Sequence, residues 1–140
     1  EVINKLIKNS DFKKTESNTQ KLKIYGYKET TNYDDPLYVY GSDKEKLLEL
    51  AKNEALEGYL SENLKIIKAQ VIWGARYEMA RTVEDILARR TRALFLDAKE
   101  SIRIAPEVAQ LLAKELGHNK EWEEIQIIQF NNIAKNYILN

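Results

Sequence analysis

Arg76-Tyr-Glu-Met-Ala-Arg-Thr-Val-Glu-Asp-Ile-Leu-Ala-Arg-Arg-Thr-Arg92 is the stretch that argues most clearly for a helical protein. Its apolar residues Met79, Val83, Ile86 and Leu87 fall at helical spacing. Val71, Ile72 and Ala75 extend the stripe upstream, and Leu94 and Phe95 extend it downstream. On an unbroken helix, Glu78, Arg81, Asp85, Arg89 and Arg92 would form one ladder along one face, alternating in sign as far as Arg89. Thr82-Val-Glu-Asp85 interrupts that picture, because it has the form of a capping box with Thr82 as N-cap and Asp85 at the third helical position. Its acids would face the positive end of the helix dipole. The pattern therefore predicts two helices, 66–80 and 83–91, with a bend at Arg81-Thr82. Arg89, Arg90 and Arg92 lie close together, and arginine suits bidentate docking onto carboxylates or phosphates. The blander alternative is a solvated face of weak surface pairs. A helix over 83–91 that buries Ile86 and Leu87 must turn at least one of Arg89 and Arg90 outward.

Outward from this stretch, the chain continues to read as helix. Residues 1–8 carry Val2, Ile3, Leu6 and Ile7, a short amphipathic helix, and 9–21 are polar and read as a linker or exposed loop. Leu22 to Tyr27 alternates briefly and predicts one short strand. Asp34-Asp35-Pro36 signals a turn. Ser42-Asp-Lys-Glu45 is a second capping box, starting a helix over 43–56 with Leu47, Leu48, Ala51 and Ala55, ended by Gly58. Pro106 favours a first helical position over an interior one, so helices are expected at 93–104 and 106–116. Gly117 then closes the second as its C′ residue. Asn119 caps a last helix over 120–138, with Trp122, Ile125, Ile128, Ile133 and Tyr137 expected inside. The expected fold class is all-α: an irregular bundle of about six to seven helices with at most one short strand.

The 140 residues suffice for one domain, or one domain plus an arm. Basic and acidic residues balance at 22 each, which argues against general nucleic-acid binding. No apolar run is long enough to span a membrane, and the piece itself reads as soluble. Cysteine is absent, which excludes a disulfide framework, a zinc finger, an iron–sulfur cluster and a thiol nucleophile within this sequence. His118, the single histidine, sits between a helix-ending glycine and a cap and is expected to be exposed. It offers neither a metal-ligand set nor the centre of a Ser–His–Asp triad. The five glycines are scattered, with no phosphate-cradling loop among them. Glu84-Asp85 and Glu123-Glu124 are sequence neighbours that diverge around a helix and do not make a carboxylate dyad. Tyr25, Tyr27, Tyr33, Tyr38 and Tyr40 cluster around loops, where packing with a wet hydroxyl is the expected role. The survey thus expects no catalytic, metal or cofactor-binding residue in this chain. The first residue is Glu1, so the chain is expected to be a piece of something longer.

The 76–92 stretch, together with Phe95-Leu-Asp-Ala98, Ala105-Pro106 and Ala113-Lys-Glu-Leu-Gly117, resembles the C-terminal domain of FAD-dependent glycerol-3-phosphate dehydrogenases and the related alpha-glycerophosphate oxidases. The Tyr40-Gly41-Ser42 helix start and Glu121-Trp-Glu-Glu-Ile-Gln126 are similar to the same family, and the resemblance covers roughly 35–138. It implies a parent that oxidises sn-glycerol 3-phosphate to dihydroxyacetone phosphate, with FAD taking the hydride and electrons passing to membrane quinone. It also implies that FAD and the main substrate residues lie upstream, on a catalytic body outside this chain. Residues 1–34 are then expected to be a bridging arm or linker, and 35–140 a helical C-terminal cap domain that docks on that body and is inactive alone. The docking residues expected are Arg76, Glu78, Arg81, Asp85, Arg89, Arg90 and Arg92. The parent is expected to be cytoplasmic and peripheral to the inner face of the cell membrane. The alternatives from other classes are a free-standing helical interaction module with an arginine-rich face, and a small enzyme of unknown type.

Overall fold

The computed structural model describes residues 2–8 and 16–138, without the side chains of residues 3, 4 and 7. The expected helix at the amino end is present as α1 (Val2–Lys8). A 3-10 turn (Tyr38–Asp43) leads into α2 (Lys44–Asn53). A small antiparallel hairpin follows, β1 (Tyr59–Ser61) with β2 (Ile66–Ile67). Then come α3 (Ala69–Tyr77), a π-helical turn (Asp85–Arg90), α4 (Ala93–Leu96), α5 (Ala98–Leu116) and α6 (Lys120–Ala134), which ends in a 3-10 turn (Lys135–Tyr137). The fold is all-α, as expected, apart from that hairpin.

Two hydrophobic clusters make the core. The larger gathers Ile104, Val108 and Leu112 of α5, Phe130 of α6, Ile86 and Leu87 of the π turn, and Leu94 of α4. The smaller gathers Leu37, Tyr40, Leu47, Ala51, Ile67, Ala69 and Trp73. Helix α3 lies between them, giving Val71 and Ala75 to the first and Ala69 and Trp73 to the second. Every residue from Ala69 to Ala75 is therefore buried, the condition of a helix apolar on all sides. Gln70 is the polar member of that run, and it is satisfied. Its side-chain oxygen accepts from the Ile67 N–H at 2.9 Å, and its amide donates to the Tyr40 hydroxyl at 3.0 Å. Burial pushes that hydroxyl up to about 12, against the Gln70 hydrogen bond, which lowers it.

Several boundaries differ from expectation. Residues 22–27 hold no strand, and 24–27 form a turn closed by the Tyr27 N–H on the Ile24 carbonyl at 3.0 Å. The strands lie where a connector and the start of a helix were expected. The Lys65 N–H closes a turn on the Glu62 carbonyl, and Lys65 takes a left-handed φ of 55°, a hairpin connection rather than a helical one. Helix α2 ends at Asn53, because Ala55 takes the left-handed place expected of Gly58 and the Leu56 N–H returns to the Ala51 carbonyl at 2.7 Å. The Ser42 capping box does not form. Asp43 is the N-cap, and its carboxylate bonds Lys46 at 3.0 Å instead of the backbone.

The two helices expected at 93–104 and 106–116 are divided elsewhere. The break falls at Asp97, whose side chain accepts from the Glu100 N–H at 2.9 Å, and α5 then runs through Pro106 without interruption. An interior proline costs about 3 kcal/mol, and here it is offset by burial on both sides of it, at Ile104, Ala105, Val108 and Ala109. Gly117 is the left-handed C-terminal residue and Asn119 the N-cap of α6, accepting from the Trp122 N–H at 3.0 Å, both as expected. Helix α6 is rotated from its expected position. Gln126, Phe130 and Ala134 are its buried residues, while Ile125, Ile128 and Tyr137 are exposed. Met79 also leaves the expected apolar stripe, being 80% exposed with a φ of 60°.

Candidate functional site

The bend expected at Arg81-Thr82 is present and longer than expected, since α3 stops at Tyr77 and helical structure resumes at Val83. The capping box forms in both directions. Thr82 Oγ1 accepts from the Asp85 N–H at 3.1 Å, and Asp85 Oδ2 accepts from the Thr82 and Arg81 N–H groups, each at 3.0 Å. Burial works to raise the Asp85 carboxyl, but these hydrogen bonds and the Arg89 charge together hold it below the usual carboxylate range. Thr82→Ala should destabilise the chain by about 1 kcal/mol in chemical denaturation, and Thr82→Ser should be close to neutral. Equal stability of the alanine variant and the parent sequence would show that the box contributes nothing.

After the cap the helix widens. The Thr91 N–H and hydroxyl both donate to the Ile86 carbonyl at 2.9 Å, five residues back. The wider turn carries Ile86, Leu87 and Ala88 into the core. Val83 is tied down from outside, its N–H donating to the buried Gln126 side chain of α6 at 3.2 Å.

The seven charged residues singled out in the sequence do not line up as a ladder. Arg76 bridges Glu54 after α2 and Glu115 of α5, with closest contacts of 2.6 and 2.7 Å. These two carboxylates, Glu115 first, hold its guanidinium above its ordinary range. Arg81 folds back and donates to the Ala75 and Ala80 carbonyls at 2.8 Å each, the first of them left open at the end of α3. Arg89 pairs with Glu84 at 2.7 Å and Asp85 at 2.9 Å. Arg90 donates to the Glu78 carbonyl and lies 3.4 Å from the Glu78 carboxylate. Burial raises the Glu78 carboxyl, and Arg90 opposes that shift. Six of the seven thus meet in internal networks that tie α2, α3, α5 and the π turn together. Arg92 alone has no side-chain partner among the described residues, and it is exposed.

Arg92 lies on the rim of a cleft of about 390 Å³. Tyr38 and Val39 line it from the 3-10 turn, and Phe95 and Leu96 from α4. Sequence reasoning missed this cleft. The available signal was Ala93-Leu-Phe-Leu96, a four-residue apolar run on a single helical turn, which cannot face inward on all sides. Ala93 and Leu94 are buried, while Phe95 is 58% and Leu96 68% exposed. His118 is exposed, as expected, and its ring stacks on Trp122 with centroids 4.4 Å apart.

The family described as the C-terminal domain of alpha-glycerophosphate oxidase matches residues 15–123, beginning inside the segment expected to be an arm. The chain is similar to the mitochondrial glycerol-3-phosphate dehydrogenase SDP6 of Arabidopsis thaliana, 29% identical over 101 residues, covering 72% of this chain and 15% of that protein. It is similar to a probable mitochondrial glycerol-3-phosphate dehydrogenase of Dictyostelium discoideum, 30% identical over 96 residues, covering 69% of this chain and 15% of that protein. A mitochondrial glycerol-3-phosphate dehydrogenase of Schizosaccharomyces pombe is 30% identical over 88 residues, covering 63% of this chain and 13% of that protein. The chain therefore spans only 13–15% of the length of these relatives. No solved structure matches it significantly.

Proposed function

Because this chain belongs to the family of the C-terminal domain of alpha-glycerophosphate oxidase, we propose that it is the helical cap of a longer FAD-dependent glycerol-3-phosphate dehydrogenase. The parent oxidises sn-glycerol 3-phosphate to dihydroxyacetone phosphate, and its electrons pass to quinone. It sits peripherally on the inner face of the cell membrane; the three matched relatives carry mitochondrial names. No helix among the described residues is long and apolar enough to cross a membrane. In this reading residues 35–140 form the cap, and 1–34 bridge it to the catalytic body.

The observation that carries the proposal is the family match over 15–123 combined with the small share of each relative that the chain covers. The fold supports placing FAD on the body. A dinucleotide is cradled by a parallel strand–helix–strand unit with a glycine-rich turn, whereas the strands described here form one antiparallel hairpin. The described residues offer no such unit to a flavin, and no chemical step is assigned to them. The arginine networks fit a stiff accessory domain, since Arg76, Arg81, Arg89 and Arg90 all find their partners within it.

The test uses purified residues 1–140 and the longer polypeptide side by side. The longer polypeptide should be yellow and reduce a dye with sn-glycerol 3-phosphate. Residues 1–140 should carry no flavin and reduce no dye. Stoichiometric flavin on the shorter chain, or a longer polypeptide inert toward this substrate, would overturn the proposal.

A further inference from the structure

Arg92 differs from the other arginines of its stretch in two ways. It has no ion pair or side-chain hydrogen bond among the described residues, and its φ of 60° lies in the left-handed region. Glycine or asparagine is the usual occupant of such a backbone position. An arginine here accepts conformational strain although only its backbone is used, its carbonyl accepting from the Phe95 and Leu96 N–H groups at the start of α4. Lys65, on the same cleft, is also left-handed at 55°.

The cleft is lopsided in charge. Lys65, Arg90 and Arg92 line it, and no aspartate or glutamate does, in a chain whose net charge is zero. Arg90 is already engaged by Glu78, and the Lys65 ammonium lies over the Tyr59 ring, 5.7 Å from its centroid, so Arg92 supplies the guanidinium with no partner among the described residues. Around that charge the surface is apolar, with Phe95, Leu96 and Val39 each more than half exposed. A free guanidinium beside uncovered apolar side chains is complementary to a carboxylate flanked by apolar residues. A phosphate alone would leave Phe95 and Leu96 wet.

We propose that the cleft between the 3-10 turn and α4 is the seat of an acidic, apolar-flanked segment of the catalytic body, with Arg92 holding its carboxylate. The proposal rests on the reading of this chain as the cap of a longer enzyme. The relatives supply the covering material on that reading, since more than four fifths of each lies outside the matched region. The docking role expected of all seven charged residues thereby narrows to one of them.

The experiment uses the full polypeptide with Phe95 replaced by the photoreactive p-benzoylphenylalanine. Irradiation followed by mass spectrometry should give a crosslink within one polypeptide, to a body peptide containing aspartate or glutamate. Arg92→Glu on that background should lower the crosslink yield at least tenfold, and Arg92→Lys should restore most of it. A crosslink between two copies, or none, would overturn the proposal. So would a yield indifferent to Arg92→Glu. An Arg92→Glu enzyme that only raises KM for glycerol 3-phosphate, with the crosslink intact, would assign Arg92 to an anionic ligand instead. Dye reduction with sn-glycerol 3-phosphate on the same sample separates the two readings. An active enzyme without the crosslink loses only the docking site, whereas an inert one loses the functional assignment.

Discussion

Phe130→Ala should lower the stability of this chain by about 3–5 kcal/mol, the usual cost of emptying a buried phenylalanine site. Ile128→Ala, two residues away, should change it by less than about 0.5 kcal/mol, as surface substitutions do. Phe130 is 1% exposed in the larger cluster and Ile128 is 60% exposed. Domains of this kind are stable by about 5–15 kcal/mol in total, so the first loss is a large fraction of the whole. Urea denaturation of both variants measures it, as a fall in midpoint at constant slope. Similar losses in the two variants would mean that α6 presents a different face to the core.

Gly41→Ala should have an effect of comparable size by a different route. Gly41 has φ 52° and ψ −124°, and a Cβ built on it would lie 1.8 Å from the Gly26 carbonyl oxygen. The neighbour is backbone, so no side-chain rotation relieves the overlap. The backbone conformation alone costs about 1–3 kcal/mol for a residue with a side chain. Relief requires residues 24–27 to move away, which breaks the Ser42 N–H bond to the Gly26 carbonyl. The expected result is a lower melting temperature together with faster tryptic cleavage at Lys21, Lys23 and Lys28. Gly26→Ala is the control. Its Cβ would meet nothing closer than 3.8 Å, leaving only the cost of its φ of 78°. If Gly41→Ala is no worse than Gly26→Ala, the close approach of the two glycines is not a constraint on the fold.

What was legible in the sequence was local. The Thr82–Asp85 box, the Gly117 terminus and the Asn119 cap are each written within a few residues, and each forms as read. What was not legible depends on partners far along the chain. The last helix carries isoleucine at 125, 127, 128 and 133, which supports more than one inward face. The choice between them is made by Phe130 in the core and by the Gln126 bond to the Val83 N–H, 43 residues away. Pro106 reads as a boundary because its local rule is strong, yet tertiary burial on both sides carries the helix through it. The Arg76 partners, Glu54 and Glu115, are likewise set by how the helices pack. Read in sequence, Arg76 and Arg92 look alike; only the packing distinguishes the bridged arginine from the free one.

The position of α3 between the two clusters bears on how the chain comes apart. Melting either cluster uncovers residues of the helix that also serves the other, because Val71 and Ala75 on one side and Ala69 and Trp73 on the other belong to the same two turns of backbone. An intermediate that kept only one cluster would expose half of this helix to water. A disturbance at the Leu47–Trp73 side therefore reaches the Phe130 side through the shared helix, and the coupling runs equally in the other direction.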